Sequence, residues 1–119
     1  DATERGRLAQ WIAFYKANRH LLHASVWTGK AGDNLVWHAA GSADDWLLFV
    51  YRMAPMELRP MPPVRLPFLD ENADYQLAPA GPDGVGSDEH YSGAWLARHG
   101  LSVPHMKAEE AIIYRGKRL

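Results

Sequence analysis

Two carboxyl groups held about 5 to 10 Å apart can cleave a glycosidic bond, one acting on each side of it. Adjacent pairs in this sequence are Asp44-Asp45, Asp70-Glu71, Asp88-Glu89 and Glu109-Glu110. All fall in turns or strand approaches, where a carboxylate is solvated, so none is assigned a catalytic role. His20 and His23 stand three apart, a spacing that can hold a metal on a helix. The helix ends there and no carboxylate pattern completes the set, so they read as surface or capping histidines. The stretch Gly81-Pro82-Asp83-Gly84-Val85-Gly86-Ser87 has the composition of a phosphate loop but no helix after it to supply amides. It reads as a hairpin tip, and its acids Asp83, Asp88 and Glu89 lack the spacing of a calcium loop. No serine sits in a nucleophile elbow. Cysteine is absent, which removes disulfides, thiolate zinc sites and cysteine nucleophiles. Catalytic, metal and cofactor residues are therefore all assigned as none.

The tryptophans are the remaining chemical resource. There are 5 in 119 residues: Trp11, Trp27, Trp37, Trp46 and Trp95. An open indole face can stack on a sugar ring. Trp11 and Trp46 lie in apolar patterns that predict burial. Trp37 and Trp27 are the candidates for sugar stacking, because Trp37 stands between Val36 and His38 in a strand that can turn it either way.

These residues are positioned by one helix and a series of strands. Leu8, Trp11, Ile12, Tyr15 and Leu22 share one helical face, with Phe14 and Leu21 on its flank, so a helix is expected from Thr3 to Leu22. Asp1 and Glu4 suit its capping. After Ala24 the period changes. Strands are expected at 24–28, 35–40, 46–53, 64–69, 74–78, 94–98 and 111–114, with Gly- and Asp-rich breaks between the first three. Trp46–Tyr51 is apolar on both faces, as in a central strand covered on each side. The four prolines of 54–63 place that stretch at an edge or in a crossover. The expected fold is mainly β: an antiparallel, Greek-key-like β-sandwich preceded by one N-terminal α-helix, with Leu48, Val50, Leu66, Tyr75, Leu96 and Ile113 contributing to the sandwich core.

Length suits one domain. A formal net charge of −1 gives no field for sequence-independent nucleic-acid binding. No apolar run approaches the roughly 20 residues of a membrane span. The start, Asp1-Ala2-Thr3-Glu4-Arg5, has no signal-peptide layout and no Met, which suits an excised segment or a processed terminus. A cytoplasmic setting is favoured.

Several strings then resemble, in order, the end of a family 36 glycoside hydrolase of the α-galactosidase type. Arg19-His20-Leu21-Leu22-His23 is similar to the segment closing that family's barrel. Trp46–Tyr51 is similar to its apolar central strand. Val64-Arg65-Leu66-Pro67-Phe68-Leu69-Asp70 followed by Asp74-Tyr75-Gln76-Leu77 resembles its Arg-Leu, Leu-Asp and aromatic-strand pattern, with Phe68 where the family usually has glycine. Ser92-Gly93-Ala94-Trp95-Leu96, His99–Pro104 and Ala111-Ile112-Ile113-Tyr114 resemble the segments that follow.

The resemblance implies residues 1–23 as the terminal helix of a preceding (β/α)8 barrel and 24–119 as a C-terminal β-sandwich domain. It implies a parent that hydrolyses terminal α-galactosides with retention. The family's nucleophile and acid/base segments do not occur in this chain, so the domain is expected to be non-catalytic and to support the barrel. The partner is then the upstream catalytic barrel, with self-association through the wide apolar helix face as a second expectation. A carbohydrate-binding module using exposed tryptophans is the alternative.

Overall fold

The computed structural model describes residues 2–32, 35–53, 62–81, 88–103 and 111–119. The chain begins with α1 (Ala2–Ala17) and α2 (Arg19–Leu22). The strands are β1 (Ser25–Ala31), β2 (Leu35–Ser42), β3 (Asp45–Arg52), β4 (Asp74–Pro79), β5 (Glu89–Ser92) and β6 (Ala111–Arg118), with α3 (Gly93–Arg98) following β5. They form one six-stranded sheet in the order β1-β2-β3-β6-β4-β5, with every neighbouring pair antiparallel. β1–β3 form a meander. β6 then returns from a distance to lie between β3 and β4, a Greek-key type of return.

Strand alternation sends Leu35, Trp37 and Ala39 of β2, and Trp46, Leu48 and Val50 of β3, to one face. Tyr75 and Leu77 of β4 and Tyr114 of β6 join them, all within one buried cluster. The cover on this inner face is a second layer built from chain 62–69, α3 and 100–103. Val64 and Leu101 exchange both backbone hydrogen bonds, at 2.9 and 2.7 Å, and Leu66 N–H donates to the Leu96 carbonyl. Leu48, Val50, Leu66, Tyr75 and Leu96 are completely buried, as the alternation predicts. Gly116 lets the Trp46 indole lie flat across β6; a Cβ there would stand 2.2 Å from the ring.

Three local expectations resolve differently. Over 64–69 only Val64 makes a bridge, because Pro62, Pro63 and Pro67 interrupt the supply of ladder donors. Residues 94–98 form α3 rather than a strand. The Ser92 side chain accepts the Trp95 N–H at 3.0 Å, so Ser92 caps a run of good helix formers. The N-terminal helix is two pieces, since Asn18 leaves helical geometry and its side-chain amide donates to the Phe14 carbonyl at 2.9 Å. Most of the proline-rich stretch 54–63 lies outside the described residues.

Helix α2 lies on the outer face of the sheet. Leu21 of α2 is buried, above Ala40 and Leu47, which are fully buried on that face. Arg115 of β6 reaches Asn18, and Gly81 sits against both Trp11 and Ile113. Ile113, expected in the inner core, instead shares the outer face with Phe49 and is half-buried. No residue of α1 is buried; Leu8 is 61% exposed, Ile12 45% and Tyr15 47%. Trp11 and Phe14 are half-buried and meet edge to face.

Candidate functional site

Each described carboxylate among the adjacent pairs has a partner, and Arg118 bridges two of the pairs. Asp45 binds Arg115. Arg118 lies 3.3 Å from Asp44 and 3.4 Å from Asp70, joining the turn before β3 to the turn before β4. Asp70 also accepts the Asn72 N–H, while Glu71 pairs with Arg98 at 3.3 Å. Asp88 accepts from Gln76, and Glu89 from the Tyr91 hydroxyl. These carboxylates tie turns and strand ends together; none is aimed with a second across an open cleft. Glu109-Glu110 and residues 82–87 of the glycine-rich stretch lie outside the described residues. His20 is on α2 and His23 caps it. Among the described residues no three metal-ligating side chains gather.

Burial raises the Tyr91 hydroxyl to about 12, reinforced by its hydrogen bond to Glu89 and by that carboxylate's charge. Burial also raises Tyr114, with Glu89 again contributing. The Tyr91 phenol held neutral this way serves as a hydrogen-bond donor to Glu89 at the β5 edge.

The tryptophans divide by what covers them. Trp37 is 7% exposed and its indole lies across Gly29, where an added Cβ would meet the ring at 2.6 Å. Trp27 is half-buried and stacks flat on Phe68, with centroids 4.3 Å apart and planes 8° from parallel. Trp46 meets the same Phe68 edge to face at 5.7 Å, and Trp37 at 6.3 Å. Phe68 is thus the hub of the aromatic core, filling the place where the resembling pattern has glycine. Trp95 on α3 is the exposed indole, at 49%, and it stacks on His99 at 4.4 Å. Trp95 was not among the stacking candidates, and its helical setting is what leaves its ring open.

The outer face holds one further feature that the sequence analysis did not single out. Cross-strand register aligns Thr28, His38 and Phe49 in one row and Lys30, Val36 and Tyr51 in the next. These six side chains line a groove of about 470 Å³. His38 and Phe49 meet edge to face at 5.7 Å. The apolar character of Leu47, Phe49 and Tyr51 is visible in the sequence. Helix α2 covers the Leu47 end of that row, whereas Tyr51 is 36% exposed.

The family model of the glycosyl hydrolase family 36 C-terminal domain matches residues 38–115, well over half of the chain. The chain belongs to this family. Among solved structures, this family 36 domain is similar to the α-galactosidases AgaA and AgaB from Geobacillus stearothermophilus. For each the TM-score is 0.80 at 23% identity, over 100% of this chain and 16% of the other. It is also similar to the galactosidase domain of the α-galactosidase–sucrose kinase AgaSK, with a TM-score of 0.70 at 24% identity, over 91% of this chain and 15% of that one. At these identities the likeness shows the fold. The family 36 domain therefore spans about a sixth of the length of these structures. No curated protein matches it in sequence.

Proposed function

We propose that this domain is the non-catalytic C-terminal module of a larger α-galactosidase-type glycoside hydrolase, and that residues 1–23 form the last helix of its catalytic barrel. The observation that carries this is the helix itself. α2 is anchored to the sheet by buried Leu21 and by the Arg115 contact to Asn18, while α1 turns Leu8, Ile12 and Tyr15 to water. A helix that is apolar on a face its own domain leaves bare suits a barrel wall, buried from the other side. Residues 24–119 then buttress that wall, and hydrolysis of terminal α-galactosides belongs to the parent's barrel. The engagement of the described carboxylates in ion pairs and hydrogen bonds that tie turns together supports the same reading, since a retaining glycosidase needs two of them about 5 Å apart across the bond.

The test compares an aryl α-galactoside with the full-length gene product and with this chain alone. Turnover is expected from the first and none from the second. Turnover by this chain that disappears on replacing Asp44, Asp45, Asp70 or Asp88 overturns the proposal.

A further inference from the structure

We propose that Trp95, Arg98 and Glu71 form a surface subsite that binds one galactopyranose ring of a saccharide, on the opposite side of the sheet from α2. The choice of galactose rests on the proposed α-galactosidase parent.

Helix α3 buries Gly93 and Leu96 and turns Trp95, Arg98 and His99 outward. Residues three and four apart are neighbours on a helix surface, so these three make one patch. His99 stacks on the Trp95 indole, with planes 28° from parallel, and backs one side of the ring while the side chain stays exposed. Glu71 joins the patch from the turn before β4. The Gly93 N–H donates to the Ala73 carbonyl at 2.8 Å, and a Cβ on Gly93 would stand 1.9 Å from the Asp70 carbonyl oxygen. That turn therefore lies hard against the start of α3. From it Glu71 reaches Arg98 at 3.3 Å, and both side chains remain open to water.

The backbone under the indole is fixed on both sides. The Trp95 N–H is held by the Ser92 side chain, and the Trp95 carbonyl accepts the N–H groups of His99 and Gly100 at 2.8 and 2.9 Å. Leu96 next to it is fully buried, and its carbonyl accepts the Leu66 N–H. A platform held this way loses little freedom on binding.

The chemistry of the patch matches a pyranose. An indole offers a flat apolar face, a guanidinium offers donors and a carboxylate offers acceptors. A pyranose is apolar on a ring face and carries neighbouring hydroxyls that both donate and accept at its rim. Galactopyranose suits the indole because its axial hydroxyl leaves three adjacent ring hydrogens together on the opposite face. A nucleobase would also stack, but its phosphates meet a chain of formal net charge −1. α3 belongs to the layer over the inner face, whereas α2 packs on β1, β2 and β3 from the outer face, so the patch faces away from α2.

The test labels the full-length gene product with fluorotryptophan and assigns the Trp95 fluorine resonance by its loss in Trp95→Phe. The probe is methyl thio-α-galactoside, which resists hydrolysis. A saturable shift of the Trp95 resonance is expected, with affinity about tenfold weaker in Arg98→Met and in Glu71→Gln. Turnover of an aryl α-galactoside should be the same in both variants as in the wild type. The resonances of Trp27, Trp37 and Trp46 in the free variants control for folding. No saturable Trp95 shift overturns the proposal, as does equal affinity for the corresponding thioglucoside or an affinity that neither variant weakens. A Trp95 shift produced by a proline-rich peptide and not by the sugar overturns it in favour of a peptide site. A saturable shift in a full-length protein without α-galactosidase turnover upholds the subsite and sinks the proposed function; turnover without the shift does the reverse.

Discussion

Arg115 holds Asp45 through two of its nitrogens, each 2.8 Å from a separate carboxylate oxygen, while the third reaches the side-chain oxygen of Asn18. One guanidinium thereby joins β6, β3 and the break between α1 and α2. Asn18 passes the link on, donating to the Phe14 carbonyl. Its planar fork suits two-point binding of a carboxylate in a way lysine does not. This contact fixes where the helix leaves the sheet.

Arg115→Met is therefore expected to destabilise the chain by about 1 to 2 kcal/mol, a figure reduced because both side chains are partly exposed. Urea unfolding measures it. Amide exchange in α2 should rise more than in β3, because the helix loses its tether while the strand keeps its ladder. An unchanged midpoint with unchanged exchange in α2 would show that Leu21 alone holds the helix.

The aromatic core makes a second prediction. Leu48 is fully buried in β3, and Leu48→Ala should cost about 2 to 5 kcal/mol. Phe68 touches three indoles, so Phe68→Ala should cost about 3 kcal/mol or more and shift tryptophan emission to the red as Trp27 loses its stacked partner. Unshifted emission from Phe68→Ala would mean that other side chains close over the gap.

Alkaline pH should weaken the fold through Tyr91. Its hydroxyl is raised from 10.0 to about 12 in the folded chain. Below the unfolded value both states keep the proton, and the contribution is fully present. As pH rises from 10.0 towards about 12, the unfolded chain ionises first and stability falls. Tyr91→Phe should flatten this part of the stability profile. Ultraviolet phenolate titration of the wild type should show a late-ionising tyrosine that Tyr91→Phe removes. A variant with the same alkaline profile as the wild type places the effect elsewhere.

The open face of α1 makes the fourth prediction. Exposed apolar area is unfavourable by about 25 cal/mol per Å², so the row Leu8, Ile12 and Tyr15 favours association of the isolated chain or fraying of its first turns. Ile12→Ser with Tyr15→Gln should raise the monomer fraction in sedimentation and leave the β-sheet circular dichroism unchanged. A monomeric wild type whose α1 amides exchange as slowly as those of β3 would show that α1 needs no further cover.

Much of this architecture is legible locally. The change from a period of 3.6 to one of 2 after Ala24 marks helix against strand, and the apolar run Trp46–Tyr51 marks the strand flanked by β2 and β6. Residues 94–98 were misread because alternation over five residues also fits a short helix, and Ser92 as a cap is recognisable only once its side chain is seen at the Trp95 amide.

By itself, then, the sequence determined the antiparallel, helix-first β architecture and the family pattern, because periodicity and turn chemistry act between near neighbours. It also named Leu48, Val50, Leu66, Tyr75 and Leu96 as buried. Tertiary structure alone decided that β6 enters between β3 and β4, and that Phe68 gathers Trp27, Trp37 and Trp46. It alone decided that Ile113 stands on the outer face and that Phe49 and Tyr51 line a groove. Alternation assigns a side chain to one of two faces. Which face is covered, and by what, depends on partners far away in the chain that no local period encodes.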